Sequence, residues 1–262
     1  MEIRRMTSPN HNVGRGGQTP DMIVKHTSGN TTQSAINTVM NRANQVSYNF
    51  IIAGASFRGH GIVPEYKDGD IIQMVDIKNT AWHSGIDATI RNSTLFKNNA
   101  HPIVQRRTQS PNQYTIGIAF GDMNLNGGRL TEAQIASSIW LIKHIQAEVK
   151  RIYGYTIPLT RKHIIGHNEI NPVNRPNCPG NIQWDRIIAG VNTPVTQGNV
   201  GVNNQQSPQT ETLRFNIFGK EHHFEGFIVE GRSFSPVRGL LESMGYRVGW
   251  DGITRTITVR NE

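Results

Sequence analysis

Two histidines and the one cysteine of this chain have side chains and surroundings that could do chemistry. Cys178 is the single cysteine among 262 residues, so no internal disulfide can form. A lone cysteine is ordinarily a small buried apolar residue, but this one stands directly before Pro-Gly at the end of IIGHNEINPVNRPNCPG, eleven residues after His167. Imidazole nitrogen and thiolate sulfur are donors that zinc takes readily, and a hydrolytic zinc site needs three protein ligands with a fourth position for water. The prolines of the segment restrict its backbone, which lowers the entropy lost when the thiolate is held in place. On spacing alone, a His and a Cys this far apart are equally compatible with plain loop roles. His26 ends the apolar run IVKH, before Thr, Ser and Gly. That placement predicts a histidine exposed at a sheet edge where loops gather, and taken alone it reads as a loop histidine making an ordinary hydrogen bond.

These residues need a scaffold, and the apolar pattern supplies one. DMIVKH, SYNFIIAG, DIIQMVD and QYTIGIAF are β-rich runs between polar stretches and read as strands. A short strand leads into His167. TTQSAINTVMNRANQ carries apolar residues at Ala35, Ile36, Val39 and Ala43, a helical spacing. The clearest helix starts at Thr131, where Thr131 and Gln134 form a capping box, and ends before Gly154. Its predicted apolar stripe is Ile135, Ile139, Ile142, Ile145, Val149 and Ile152. Strands alternating with helices point to an α/β domain, a central mixed β-sheet flanked by helices.

The net charge of +8 and the hydrophobic content of 36%, with a mean hydropathy of -0.45, describe an ordinary soluble protein with a basic surface. Such a surface suits nucleic acid, anionic lipid or an anionic cell-wall polymer. No long basic tract and no RNA-binding motif is present, so nucleic acid ranks below an anionic wall. No apolar run is long enough to cross a bilayer, and MEIRRMTSPNHNVGRGG lacks the apolar stretch of a secretory signal.

IVKHTSG, SYNFII, AWHSG, YTIGIAFGD and GHNEINPVNRPNCPG occur in that order across residues 1–191. Together they resemble the zinc-dependent type-2 N-acetylmuramoyl-L-alanine amidases, which include phage endolysins, bacterial autolysins and the peptidoglycan recognition proteins. The resemblance implies one Zn2+ ion held by His26, His167 and Cys178, and cleavage of the amide between muramic acid and L-alanine in peptidoglycan. It implies a tyrosine near the metal at Tyr48, and substrate-facing residues at Trp82, His83 and Asn49. Trp82 and His83 read equally well as a packed strand end.

At position 119 the chain departs from that pattern. Many bacterial and phage members carry a glutamate general base in the strand matching YTIGIAFGD, where this chain has Ala119; near the cysteine, where many have Lys or Thr, it has Pro176 with Arg175 beside it. Two readings stay open: a branch relying on Tyr48 and Arg175, or a site whose base has been disabled, by nature or by design. Losing a general base slows turnover by about 10²–10⁴-fold. The corresponding functions are an active hydrolase, expected as a phage or prophage endolysin held in the host cytoplasm until lysis, and a peptidoglycan-binding recognition module with little or no catalysis.

Residues 192–212 are rich in Asn, Gln, Thr, Pro and Gly and read as a flexible linker. Beyond it, residues 213–262 read as strand, strand, short helix, strand, strand, with Ser235 capping the helix and Gly245 ending it. GRSFSPVRGLLESMGYRVGWD and TRTITV resemble the stalk-like amino-terminal domain of copper amine oxidases, a small α+β module. The adjacent His222 and His223 are no evidence for copper. Cell-wall targeting is the expected role, with a spacer or dimerisation module as the alternative; linking such a module to an enzyme raises the effective concentration of substrate.

Overall fold

A computed structural model describes residues 1–29, 31–55 and 66–193 and, nearer the carboxy terminus, the backbone of five strands. The chain divides into two compact units, Met1–Pro194 and Val195–Glu262.

The first unit is built on a sheet of six strands: β1 (Ile3–Arg5), β3 (Met22–Thr27), β4 (Phe50–Ile52), β5 (Ile71–Gln73), β7 (Thr115–Phe120) and β8 (Ile164–Gly166). Their spatial order is β1-β5-β4-β7-β3-β8. All neighbours are parallel except β4 and β5, so the sheet is mixed. A separate pair joins β2 (His11–Asn12) to β6 (Thr80–Ala81). Every residue of β4 and β7 is buried. Strands covered on both faces lose the polar alternation of an exposed strand, which explains their near-continuous apolar runs.

Helices cover both faces. On one lie α6 (Glu132–Tyr153) and α7 (Trp184–Asn192), packed on Ile23, Ile116, Ile118 and Phe120. On the other lie α1 (Thr32–Met40) and four short helices, α2 (Ala88–Asn92), α3 (Thr94–Asn99), α4 (Pro102–Gln105) and α5 (Pro111–Tyr114). Met22 and Val24 meet the short helices, and Ala119 meets α1 through Ala35, Ile36 and Val39. Side chains alternate along a strand, so His26 shares the face of Met22 and Val24.

The long helix follows its predicted limits: Thr131 caps it in a capping box with Gln134, and Gly154 ends it in the left-handed conformation. Its buried stripe differs from the apolar prediction. Ile139 and Ile152 are only partly buried, whereas Gln134, Ser137 and Ser138 are buried. Each of those polar groups serves the sheet: Gln134 donates to the Gly121 carbonyl at 2.8 Å, Ser137 to the Gly69 carbonyl at 2.6 Å, and Ser138 accepts from Lys25 at 2.6 Å. Helix α1 stops at Met40, and Ala43, predicted to continue it, lies exposed in a separate helical turn.

In the second unit β9 (Glu211–Ile217), β10 (Lys220–Val229) and β11 (Arg232–Phe234) form one antiparallel sheet, and β12 (Tyr246–Asp251) pairs with β13 (Thr256–Asn261). The helix expected after Ser235 and most of the predicted linker lie outside the described residues.

Candidate active site

His26 is not at a sheet edge. Its strand lies between β7 and β8, and the side chain is 1% exposed at the carboxyl end of that internal strand. This end of an open α/β sheet is where loops gather and ligands bind. The neighbouring strand β8 delivers His167, also buried, directly after Gly166. The loop that follows returns Cys178 to the same place, its carbonyl accepting from the Asn168 amide at 2.7 Å. Gly166 permits this return: a Cβ there would stand 2.8 Å from Pro179 Cδ and collide with Asn168 Oδ1.

The three side chains converge. Nδ1 of His26 lies 3.1 Å from Nδ1 of His167 and 3.9 Å from Sγ of Cys178, and one donor atom from each residue falls within 4.8 Å of the others. Tetrahedral zinc with bonds of roughly 2.0–2.1 Å to nitrogen separates two nitrogens by about 3.3 Å. The spacing and the N, N, S donor set therefore fit that ion. Burial, with the neighbouring His167, His83 and Arg175 charges, holds the His26 pKa well below the ordinary histidine value. Burial and Arg175 lower His167 to about 4. Both imidazoles are thus neutral, the form that binds metal. Burial pushes the Cys178 thiol up, which the Thr27 backbone partly offsets.

An open groove of about 820 Å³ reaches His167 and is lined, among others, by Gln45, Trp82, His83, Asn112, Asn174 and Arg175. Its wall is rich in amides, with one arginine beside the donors. Such a surface can hydrogen-bond a polar, amide-containing chain along its length.

Residues 16–181, which include every predicted site residue, match the family model described as N-acetylmuramoyl-L-alanine amidase. The chain belongs to that family. Residues 216–262 match the copper amine oxidase N-terminal domain. Among solved structures, PlyL is similar at 16% identity, covering 73% of this chain and 97% of that one with a TM-score of 0.46. A selenomethionine derivative of AmpD is similar at 21% identity over 72% and 94%, with a TM-score of 0.45. The N-acetylmuramoyl-L-alanine amidase LysC of Clostridium intestinale follows at 20% identity over 74% and 99%, with a TM-score of 0.44. No curated protein matches the chain.

The other predicted residues of this amidase divide into two groups. Tyr48 stands beside the donors, its ring centroid 5.1 Å from that of His26; burial, and then Cys178, raise its pKa to about 12. Arg175 is exposed on the groove wall. Trp82 also lines the groove, its indole N–H donating to Asn12 at 3.1 Å. His83 lines it too, but is 5% exposed and has its Nδ1 3.0 Å from His26 Nε2.

Asn49 and Ala119 do not line the groove. Asn49 is wholly buried. Its carbonyl accepts from the Gly117 amide at 3.0 Å, and its amide donates to the carbonyls of Val75 and Asp76 at 3.3 and 3.4 Å. Its side-chain polar atoms are thus engaged by the protein backbone. Ala119 is paired in register with His26 on one side and Ile51 on the other, and its methyl group is buried among Ile36, Ile51, Ile72 and Met74.

Sequence reading passed over Asn112, Thr115 and Arg15. Asn112 Oδ1 accepts from the amides of His83 and Ser84 at 3.0 and 2.7 Å. Arg15 donates to the carbonyls of Ile77, Gln113 and Thr115 at 2.6, 2.9 and 3.0 Å. Its side chain is buried, and desolvation brings its pKa to about 10. These contacts bridge tens of residues, so no local pattern announces them; the Pro-Asn pair before the QYTIGIAF strand is the only trace.

Proposed function

We propose that this amidase hydrolyses the bond between N-acetylmuramic acid and L-alanine in bacterial peptidoglycan with one Zn2+ held by His26, His167 and Cys178. The observation that carries this reading is the convergence of those three donors at the end of the groove. When bound there, the ion would polarise the scissile carbonyl and supply hydroxide near neutral pH. The chain's own groups do the rest. Arg175 and the groove amides hold the stem peptide and the glycan. Tyr48, kept protonated by its raised pKa, donates a hydrogen bond to the oxyanion that develops as water adds.

The amine is a poor leaving group and needs a proton. Position 119 offers only a methyl group, so we assign proton transfer to the site's water under the control of Tyr48 and Arg175. Arg175 lies close enough to the donors to lower the pKa values of His26 and His167, and Tyr48 close enough for Cys178 to raise its own. Ala119 also favours a second reading, a wall-recognition module with weak turnover. Residues 1–191 would form the catalytic domain and 213–262 a wall-targeting module joined by the linker. An endolysin released at host lysis suits such an organisation. No described helix is long and apolar enough to cross a membrane.

The test is to incubate the zinc-loaded protein with purified cell walls and follow free L-alanyl amino termini. Their release, lost in Cys178→Ser, supports hydrolysis. Wall binding without release supports the recognition module.

A further inference from the structure

A chain of hydrogen bonds runs from the back of His26 to a backbone carbonyl, and its direction can be assigned link by link. The Pro111 carbonyl can only accept, so the Thr115 hydroxyl, 2.6 Å away, donates to it. Having spent its hydrogen, Thr115 Oγ1 accepts from Nε2–H of His83 at 3.2 Å. A neutral imidazole carries one N–H, so Nδ1 of His83 is bare and accepts from Nε2–H of His26 at 3.0 Å. That leaves a lone pair on Nδ1 of His26, the atom facing His167 and Cys178.

We propose that His83 and Thr115 are positioning residues that fix the tautomer and ring plane of His26 and so set the metal affinity of the site. This inference rests on the metal reading above and goes beyond it, because it moves His83 from the substrate wall to a support of the donor set. Outer partners of a ligating histidine orient it and raise its basicity, and their loss commonly weakens metal binding about 10–100-fold. The support is itself held. His83 and Ser84 hang by their amides from Asn112 Oδ1. Arg15 grips the carbonyls of Asn112, Gln113 and Thr115 from behind. Gly117 leaves room for the ring.

The test is zinc affinity, measured without substrate by competition with a chromophoric chelator, together with the visible spectrum of the cobalt(II) form. His83→Phe keeps a ring but removes the acceptor. His83→Asn places a carbonyl oxygen near the lost Nδ1. The relay predicts a zinc Kd about 10–100-fold higher in His83→Phe, with altered cobalt bands, and recovery to within about threefold in His83→Asn on the same principle. Thr115→Val against Thr115→Ser gives an independent pair that leaves both rings in place: Val weakens zinc binding and Ser does not. His83→Phe and Thr115→Val variants that bind zinc as tightly as the unsubstituted chain overturn the relay alone. An unsubstituted chain that binds no zinc overturns the metal reading as well.

Discussion

Gly117 lies against the imidazole of His83, so closely that a methyl group on its α-carbon would stand 2.7 Å from Cγ of the ring. The two come from β7 and from the turn after β6, and the close approach holds the histidine behind His26. Gly117→Ala should therefore overpack a buried site. The expected destabilisation is about 1–3 kcal/mol, read by thermal or urea unfolding of the metal-free protein. A variant as stable as the parent would mean that the ring has room to move.

Acid should weaken the metal-free fold. His167 is lowered to about 4, His83 to about 3, and His26 well below the ordinary value near 6.5. Their folded pKa values are depressed, so the unfolded chain binds protons that the native chain refuses. Stability is thus fully present above about pH 6.5 and falls as pH drops towards 4 and below, by several kcal/mol if all three contribute. Unfolding midpoints of the metal-free protein from pH 7.5 to 4 check this, and a flat profile would contradict it.

Tyr48→Phe and Arg175→Ala separate chemistry from packing. Removing a donor to a developing oxyanion costs on the order of 10²–10³-fold in kcat. Arg175 is exposed, so its truncation should change stability by less than about 0.5 kcal/mol. Comparable activity in both variants would remove these residues from the proposed mechanism.

Ala119→Glu decides between the two readings of that position. The methyl group is fully buried among Ile36, Ile51, Ile72 and Met74, with Tyr48 packed on the same cluster. A larger side chain overpacks that cluster, although its carboxyl would also stand beside His26, the residue paired with Ala119 in register, and near Tyr48. The variant should be less stable and release L-alanyl amino termini no faster. A gain of tenfold or more would show that a missing base limits this enzyme.

Much of this was legible in the chain, for physical reasons that differ by residue. The capping box at Thr131 and the left-handed Gly154 are local devices, so the long helix could be bounded without tertiary knowledge. The five main strands announced themselves as buried apolar runs. Helices α2 to α5 did not, since segments of four to six residues are too short for a 3.6-residue period to show. β1 and the pairing of β2 with β6 depend on partners far along the sequence. For the same reason the internal position of β3 was invisible, and His26 looked exposed. Asn49 looked free because sequence does not reveal that its amide is used up by Gly117, Val75 and Asp76. The relay through Thr115 escaped notice because a threonine opening a strand is an ordinary β residue until its partner is known.

The donor set is tested most directly by X-ray absorption at the zinc edge of the loaded protein. His26, His167 and Cys178 predict two imidazole nitrogens at about 2.0–2.1 Å, one sulfur at about 2.3 Å and a further light atom. The sulfur contribution should vanish in Cys178→Ser. A zinc spectrum without sulfur, or one unchanged by that substitution, would contradict the site.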